Sequence, residues 1–224
     1  MKKITLSLSY YNDYQHLNKH FEQWIKYDAL VKFQIIDDGS EEDLAFKLKD
    51  TNLSMIDLSI YRINEDIKWN IPGVRNLGAT ICETEWILFC DMDQFFLPED
   101  MNKIDKFIRS DDVDSSKFYS FSRIDRGKTM GTMLLTKRNF WKCGGYDEDL
   151  IGNYGYNDPL LRKQLESVGV NEHTFDDIFC QQFNADCKLD RKGIKKNKKK
   201  MERKIKKLPR KNLNILNFQW EKRY

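Results

Sequence analysis

Residues 86–97 read WILFCDMDQFFL, an apolar run that ends in two aspartates, Asp91 and Asp93, before apolar residues resume. A short continuous apolar run of this kind is typical of a strand buried on both faces of a sheet. Two carboxylates one residue apart at its end can face one point, and such hard oxygen ligands suit Mg²⁺ or Mn²⁺. The alternative is an ordinary strand-to-loop turn, in which aspartate is common. The apolar flanks favour the metal site, because charge buried beside them is costly unless it is compensated.

Outward from this run, strand-like and helix-like patterns alternate through the first half of the chain. Strands are predicted over residues 4–9, 32–36, 55–60 and 86–90. Strands separated by helices predict an α/β fold with a mainly parallel sheet covered on both faces. Ligands bind beyond the carboxyl ends of the strands in such sheets. We therefore expect Ser9, the pair Asp37 and Asp38, and the pair Asp91 and Asp93 to open onto one crevice.

The pattern loosens after residue 110, where strands are predicted over 117–123 and 131–136 and a helix begins at Pro159. No repeat or Pro-rich linker marks a boundary, so we expect one domain with two lobes. The predicted divisions are a core over 1–187, with a nucleotide-type half over about 1–97 and a smaller mixed half over about 98–187, a basic helical segment over 188–211, and a C-terminal strand over 212–224 that packs on the core.

The composition excludes some classes of protein. The 224 residues are 40% apolar and 13% aromatic, enough to bury a core, which excludes a disordered or fibrous chain. Five cysteines without a C-x-x-C pair predict reduced thiols. No apolar run approaches the roughly 18 residues that span a bilayer. We expect a soluble cytoplasmic protein, in the host cytoplasm if the gene is viral.

Three further charged residues each have a structural and a functional interpretation. Asp38 lies in DDGS, a good turn sequence, but its carboxylate can also accept hydrogen bonds from a nucleobase or ribose. Arg75 is either a solvated charge or a fixed cation near a phosphate. Asp158 is either the N-cap of its helix or a general base. The residues alone leave these alternatives open.

Taken together and in order, these segments resemble the GT-A-type glycosyltransferases of inverting family 2 and the related β-1,4-galactosyltransferase-like enzymes. The resemblance runs from about residue 4 to 220 and rests on the stretches LSLSYYND, IIDDGS, WNIPGVRNLGA, ILFCDMDQFF, GTMLLTKRNFWKCGGYDEDLIGNYGYNDPLL and KNLNILNFQW. It implies a GT-A fold and a hexosyltransferase-type reaction that uses Mn²⁺ or Mg²⁺. The sugar would pass from a nucleotide-diphosphate sugar, with a UDP-sugar favoured, to a hydroxyl of a glycan or glycoconjugate.

The resemblance also implies a role for individual residues. Donor contacts are expected from Ser9, Asp38, Arg75, Asn76 and Asp91. Metal contacts are expected from Asp93 and Asp91, with His173 as a further candidate ligand. Acceptor contacts are expected from Tyr154 and Asn157, and Asp158 is the expected base. The base would deprotonate an acceptor hydroxyl, which attacks the anomeric carbon from the face opposite the departing nucleotide diphosphate.

The chain departs from the family pattern at two places. The family usually has Glu-Asp at the base, whereas this chain has Asn157 and Asp158, which affects acceptor specificity more than chemistry. Many relatives supply a downstream histidine to the metal, whereas residues 178–186 of this chain read IFCQQFNAD. His173 is the one histidine after the base, and a lone histidine is more often structural.

The basic segment over 188–211 holds 14 of the 38 basic residues and only two acidic ones. Its apolar residues fall roughly on one helix face, at Ile194, Met201, Ile205 and Leu208. It is therefore either a helix docked on the body with its lysines in solvent, a contact for an anionic membrane surface, or a nucleic-acid site. Aromatic residues do not alternate with the lysines, which argues against single-stranded nucleic acid.

Two other functions remain open at this point. A sugar-nucleotide-forming nucleotidyltransferase would share the sheet and the metal, but it would need a Gly-rich phosphate loop where this chain has Tyr10-Tyr11-Asn12-Asp13. A non-catalytic module that binds glycans or nucleotide sugars would tolerate loss of the carboxylates. The presence of all four aspartates, Asp38, Asp91, Asp93 and Asp158, argues against it.

Overall fold

The computed structural model describes residues 4–123, 127–183, 191, 193–210 and 215–224. The strands are β1 (Ile4–Tyr10), β2 (Val31–Asp37), β3 (Leu58–Ile63), β4 (Trp86–Cys90), β5 (Gln94–Phe96), β6 (Lys117–Arg123), β7 (Gly127–Thr136), β8 (Asn171–Gln182) and β9 (Trp220–Lys222). The helices are α1 (Tyr14–Trp24), α2 (Leu44–Lys47), α3 (Ile71–Ile81), α4 (Pro98–Arg109), α5 (Lys137–Lys142), α6 (Asn157–Ser167) and α7 (Ile194–Ile205), with a 3₁₀ turn at Glu148–Leu150. Within these ranges all the strands belong to one sheet, in the order β5-β8-β6-β7-β4-β1-β2-β3-β9.

Four neighbouring strands, β4, β1, β2 and β3, run parallel, as the alternating pattern predicted. Each residue of β4 is buried, which explains its continuous apolar sequence. The register pairs Leu8 with Cys90 and Tyr10 with Asp37, so the three strands end within two residues of one another. The expected α/β architecture is confirmed, and the aspartates that follow β2 and β4 share one edge of the sheet.

The other half of the sheet is mixed. Strand β7 is antiparallel to both β4 and β6, while β8 is parallel to β6 and then antiparallel to β5. The pairing of β6 with β8 jumps from Phe121–Phe175 to Ser122–Phe179, so β8 carries a bulge at residues 176–178. The bulge lets β8 continue as far as the short strand β5, which directly follows the two aspartates of residues 91–93.

Helix α3 lies unusually close to the sheet because it carries glycine where the two meet. A Cβ atom on Gly78 would lie 2.6 Å from Ser7 Oγ on β1, a distance that side-chain atoms do not tolerate. This close packing leaves Arg75 and Asn76 of α3 almost completely buried. The polar side chains of these two residues thus lie in the interior of the protein.

Some boundaries differ from the predictions. Helix α2 is one turn long and is capped by the Asp43 side chain, which accepts a hydrogen bond from Ala45 N. Strand β3 begins at Leu58, later than predicted. Near the C-terminus, β9 adds to the sheet antiparallel to β3. Four free cysteines are buried, as expected for thiols in a core, while Cys187 lies outside the described residues. No described helix is both long and apolar enough to cross a membrane.

Candidate active site

The two aspartates after β2 have different surroundings. Asp37 is fully buried, pairs with Arg62 at 2.7 Å and accepts a hydrogen bond from Ser40 N. Asp38 accepts a hydrogen bond from Asn70 Nδ2 at 2.8 Å. Burial raises the pKa of Asp38 to about 7, and the neighbouring charge of Asp37 adds to this, while the Asn70 hydrogen bond opposes it. Asp37 therefore forms a structural ion pair with Arg62, whereas the Asp38 carboxylate can accept further hydrogen bonds from a ligand.

Arg75 of α3 connects Asp91, which follows β4, to Asp158 in α6. Its guanidinium pairs with Asp91 through Nη2 and with Asp158 through Nη1, the latter at 2.9 Å. The same Nη1 donates to the Gly131 carbonyl at 2.9 Å. Gly131 must be glycine here, because a Cβ atom would lie 2.7 Å from the Asp91 carboxylate. One buried cation thus holds two carboxylates that come from β4 and α6.

Asp158 does not cap its helix. Helix α6 begins after Tyr156, whose left-handed backbone (φ 68°) forms the N-cap without a side-chain hydrogen bond. The Asp158 carboxylate instead accepts hydrogen bonds from Arg75 and from the Tyr146 hydroxyl, each at 2.9 Å. Of the two interpretations of Asp158, the geometry therefore excludes the cap.

Two expected donor contacts need correction. Arg75 is only 1% exposed, and its charge is used by the two carboxylates, so it does not reach a phosphate as a free cation. Asn76 is fully buried, and its amide bonds to both backbone groups of Tyr146 and to Glu148. Both residues of α3 support the site, because the Nη atoms of Arg75 and the amide of Asn76 are already bound by protein groups.

The loop that carries Asp91 and Asp93 is held on both sides. Asp93 accepts a hydrogen bond from Gln182 Nε2 at 2.8 Å, and its carbonyl accepts from Phe183 N. On the other side, buried His20 lies 3.0 Å from the Met92 carbonyl through Nε2. Burial lowers the pKa of His20 to about 4, so the ring is neutral and donates this hydrogen bond.

A divalent ion fits this loop only as part of a complex with an anionic ligand. Asp91 is occupied by Arg75, which leaves Asp93 as the open carboxylate, and the described residues contain no group of three His, Cys, Asp or Glu that could hold a metal. Mg²⁺ is commonly bound by one or two carboxylates and completed by substrate phosphates and water. The hard oxygen of Asp93 matches that arrangement.

His173 is far from this loop. It is exposed near the start of β8, opposite Tyr119 in the register, whereas Gln182 at the other end of β8 contacts Asp93. The bulge takes up three of the nine residues between them, and the remaining six residues of strand correspond to about 20 Å. The structure therefore does not bring His173 to the aspartates, and Gln182 stands beside Asp93 instead. Ser9, in contrast, lies half-buried at the shared strand edge, where it was expected.

The predicted acceptor residues lie on the segment before α6. Tyr154 contacts Trp69 edge to face, with ring centroids 5.1 Å apart. Trp69 has a left-handed backbone (φ 53°), which is uncommon for a bulky residue, and it precedes the Asp38 partner Asn70. Asn157 is buried, and its Oδ1 has no hydrogen-bond partner among the described residues. Tyr154 therefore connects the segment before α6 to Trp69, the neighbour of the Asp38 partner, and Asn157 beside Asp158 has an unused amide oxygen.

Helix α7 docks on the same segment. The buried amide of Asn197 donates to the carbonyls of Leu150, Asn153 and Gly155, at 2.8 to 3.0 Å. Lys204 forms ion pairs with Asp147 and Asp149. The apolar residues predicted to dock, such as Ile194 and Met201, are only partly buried, so polar contacts dominate. The basic helix thus holds the loop that leads to Asp158.

Comparison with known families agrees with the fold. Residues 8–120, about half of the chain, match the family described as glycosyltransferase like family 2. The chain belongs to this family. A comparison with curated proteins finds no match.

Solved structures show the same architecture at low sequence identity. S. aureus TarS (residues 1–349, in complex with UDP-GlcNAc) has a TM-score of 0.69 and 13% identity, and the match covers 83% of this chain and 60% of that chain. The mannosyltransferase PcManGT from Pyrobaculum calidifontis, in complex with GDP-Man and Mn²⁺, has a TM-score of 0.67 and 12% identity, with 95% and 66% covered. These similarities establish the GT-A fold, and the chain spans 60% of the length of that TarS chain.

Several residues of the site had no predicted role. Tyr146, Asn70, Gln182 and Trp69 all contact predicted site residues through side chains. Tyr146 and Asn70 lie inside the motif stretches GGYDE and WNIPG, so their position in a motif was the available signal. Gln182 lies in the segment noted for lacking a histidine, and only the fold shows that it reaches Asp93.

Proposed function

We propose that this protein is an inverting, metal-dependent glycosyltransferase that moves a sugar from a nucleotide-diphosphate sugar to a hydroxyl of a glycan or glycoconjugate. The observation that carries the proposal is the shared contact of Asp91 and Asp158 with Arg75. Arg75 brings together Asp91, which follows β4, and Asp158, which lies in the first turn of α6. Such a transfer needs this pair of carboxylates. Family membership supports the reaction class, and a UDP-sugar is favoured as the donor.

The mechanism follows from the placement of the residues. Asp38, with Ser9 beside it, accepts hydrogen bonds from the nucleobase or ribose at one end of the sheet edge. Asp158 takes the proton of the acceptor hydroxyl at the other end, where Tyr154 and Asn157 would contact the acceptor. The hydroxyl then attacks the anomeric carbon, and the carbon–oxygen bond to the nucleotide diphosphate breaks on the opposite face.

Asp93 would hold a divalent ion, Mn²⁺ or Mg²⁺, and Gln182 orients its carboxylate. When bound, such an ion neutralises charge on the diphosphate leaving group. Because the protein offers few ligands, we expect the ion to bind with the nucleotide and not alone. The Mn²⁺ and GDP-Man in the PcManGT structure are consistent with this class of cofactor.

The test is a thermal-shift and hydrolysis screen of UDP-, GDP- and dTDP-sugars, each with and without Mn²⁺. We expect stabilisation by one nucleotide together with Mn²⁺, and little by Mn²⁺ alone. Asp158→Asn should retain this stabilisation, while turnover of the donor falls by about 10²-fold or more. Absence of any metal-dependent nucleotide binding would refute the donor site. Full turnover in Asp158→Asn would show that the base lies elsewhere.

We further propose that the outer face of α7 contacts an anionic membrane surface and leaves the protein peripheral to it in the cytoplasm. Lys195, Lys199 and Lys206 are exposed and lie on the side of the helix opposite the buried Asn197. Each basic residue near an anionic surface contributes about 1 kcal/mol. No apolar residue lies between these lysines on that face, which favours surface attraction without insertion.

Vesicle sedimentation tests this contact. The protein should bind vesicles of phosphatidylcholine with phosphatidylglycerol at low salt, and not vesicles of phosphatidylcholine alone. The double variant Lys195→Glu/Lys199→Glu should abolish binding, whereas Lys26→Glu/Lys106→Glu, at exposed lysines elsewhere, should not. Absence of binding, or tighter binding to an oligonucleotide than to the vesicles, would refute the membrane contact.

A further inference from the structure

The Tyr146 hydroxyl lies at the centre of the Arg75 group but has no role in the reaction as described so far. It donates to Asp158 Oδ1 at 2.9 Å and accepts a hydrogen bond from Arg75 Nη1. The Tyr146 side chain is completely buried, so it does not touch a substrate. We propose that Tyr146 is a positioning residue, which with Arg75 fixes the base carboxylate in its reactive orientation. This inference rests on the proposed role of Asp158 as the base.

The two oxygens of the Asp158 carboxylate have different hydrogen-bond partners. Both the Tyr146 hydroxyl and Arg75 Nη1 bind Oδ1. In the part of the chain that the structure describes, Oδ2 has no hydrogen-bond partner. One oxygen is therefore an anchor and the other is available to take the proton. Such anchoring matters because a misplacement of about 1 Å in a reacting group can cost about 10²-fold in rate.

Tyr146 is itself fixed at both ends by α3. The Asn76 side chain accepts from Tyr146 N at 2.8 Å and donates to the Tyr146 carbonyl at 3.0 Å. The preceding residue, Arg75, binds the hydroxyl at the far end of the same side chain. Gly145 permits the close approach, since its backbone is left-handed (φ 63°) and a Cβ atom would lie 2.7 Å from Asn76 Oδ1. Arg75 and Asn76 of α3 thus fix the position of Tyr146, and Tyr146 in turn binds Asp158.

Removal of the single hydroxyl, in Tyr146→Phe, tests this role. If Tyr146 positions the base, kcat for donor hydrolysis should fall about 10-fold or more, while KM for the donor and the nucleotide-induced thermal shift stay within about twofold. A purely structural hydroxyl would lower the melting temperature without separating kcat from KM. A folded Tyr146→Phe protein with wild-type kcat would overturn the proposal.

Tyr119→Phe is the matched control. Tyr119 is also buried in the sheet, and its hydroxyl bonds to both backbone groups of Asp114, at 3.0 Å each, away from the Arg75 group. Its loss should leave kcat unchanged. If kcat falls equally in both variants, the effect belongs to the loss of any buried hydroxyl and the positioning role is refuted.

A second variant covers the case in which Tyr146→Phe does not fold. Asp158→Glu keeps every buried partner but moves the carboxylate by one methylene, away from its anchored position, so kcat should fall by about 10²-fold. Retention of more than half of the wild-type kcat would show that precise anchoring is not needed. Failure of the proposed function would look different, because wild-type protein would then hydrolyse none of the nucleotide sugars.

Discussion

The two ends of the candidate site hold their carboxylates in opposite ways. At the nucleotide end, Asp38 is buried beside the neutral amide of Asn70, and burial raises its pKa to about 7. At the acceptor end, Asp158 is bound by the guanidinium of Arg75 and by a tyrosine hydroxyl. The protein therefore supplies a fixed counter-charge where a base must stay ionised. Among the described residues Asp38 has no ion pair of its own, because Arg62 at this end is paired with Asp37, and this suits a carboxylate whose partner is a ligand.

The largest effect should come from removing the counter-charge, in Arg75→Met. Asp91 and Asp158 would lose their shared cation inside the protein, and breaking such a buried pair costs about 3–5 kcal/mol. We also expect donor turnover to fall by about 10²-fold or more, because the base loses its anchor. Urea denaturation and donor hydrolysis, measured on the same preparations, check the two effects.

Arg162→Met is the control for the loss of a buried arginine. Arg162 pairs with Glu172 and donates to backbone carbonyls of residues 129 and 130, outside the Arg75 group. Its loss should lower stability while turnover per folded molecule is kept. If both variants retain turnover per folded molecule, Arg75 is a structural arginine like Arg162, and the contrast between the two ends has no catalytic meaning.

At the nucleotide end, the prediction concerns pH. The pKa of Asp38 is raised from 3.8 to about 7 in the folded protein, so the folded state keeps a proton that the unfolded state has lost. Between about pH 4 and 7 this carboxyl therefore makes the protein less stable as the pH rises, and above pH 7 the full cost remains. Asp38→Asn removes the cost, and its advantage over wild type should grow to roughly 2–4 kcal/mol by pH 8.

Melting temperatures of wild type and Asp38→Asn at pH 5, 6, 7 and 8 measure this difference. Asp111→Asn, at an exposed aspartate after α4, should show no such growth with pH. A constant difference between wild type and Asp38→Asn across this range would mean that Asp38 is already ionised at pH 5. The nucleotide end would then resemble the acceptor end.

The half of the fold that was predictable is the half with parallel strands. There the apolar runs match buried strands directly, and the two candidate site aspartates, Asp91 and Asp93, follow β4 at the predicted edge. Helix α4 and most of β8 were not predicted. In β8 the bulge at residues 176–178 breaks the alternation of apolar and polar residues, so no period of two is visible in the sequence.

The candidate site was predictable as a set of residues but not as a network. Sequence position indicates Asp91, Asp93 and Asp158, but it cannot show that Arg75 turns inward to bind two of them. That contact depends on how closely α3 packs on the sheet. For the same reason the sequence does not show that Tyr146 and Glu148 bind the Asn76 amide, since an exposed and a buried amide have the same letter in the sequence.

The smallest effect should come from the helix that supports the acceptor end. Asn197 donates to three carbonyls of residues 150–155, so Asn197→Ala leaves those acceptors without a partner and should cost about 1–3 kcal/mol. The loss should be local, because α7 carries no other completely buried residue. Amide hydrogen exchange of residues 148–156 should therefore accelerate while exchange in β1 and β4 stays unchanged. Lys198→Ala, at the exposed neighbouring position, should alter neither. Unchanged exchange in Asn197→Ala would mean that α7 rests on the acceptor loop without holding it, and the acceptor end would owe its order to Arg75 and Tyr146 alone.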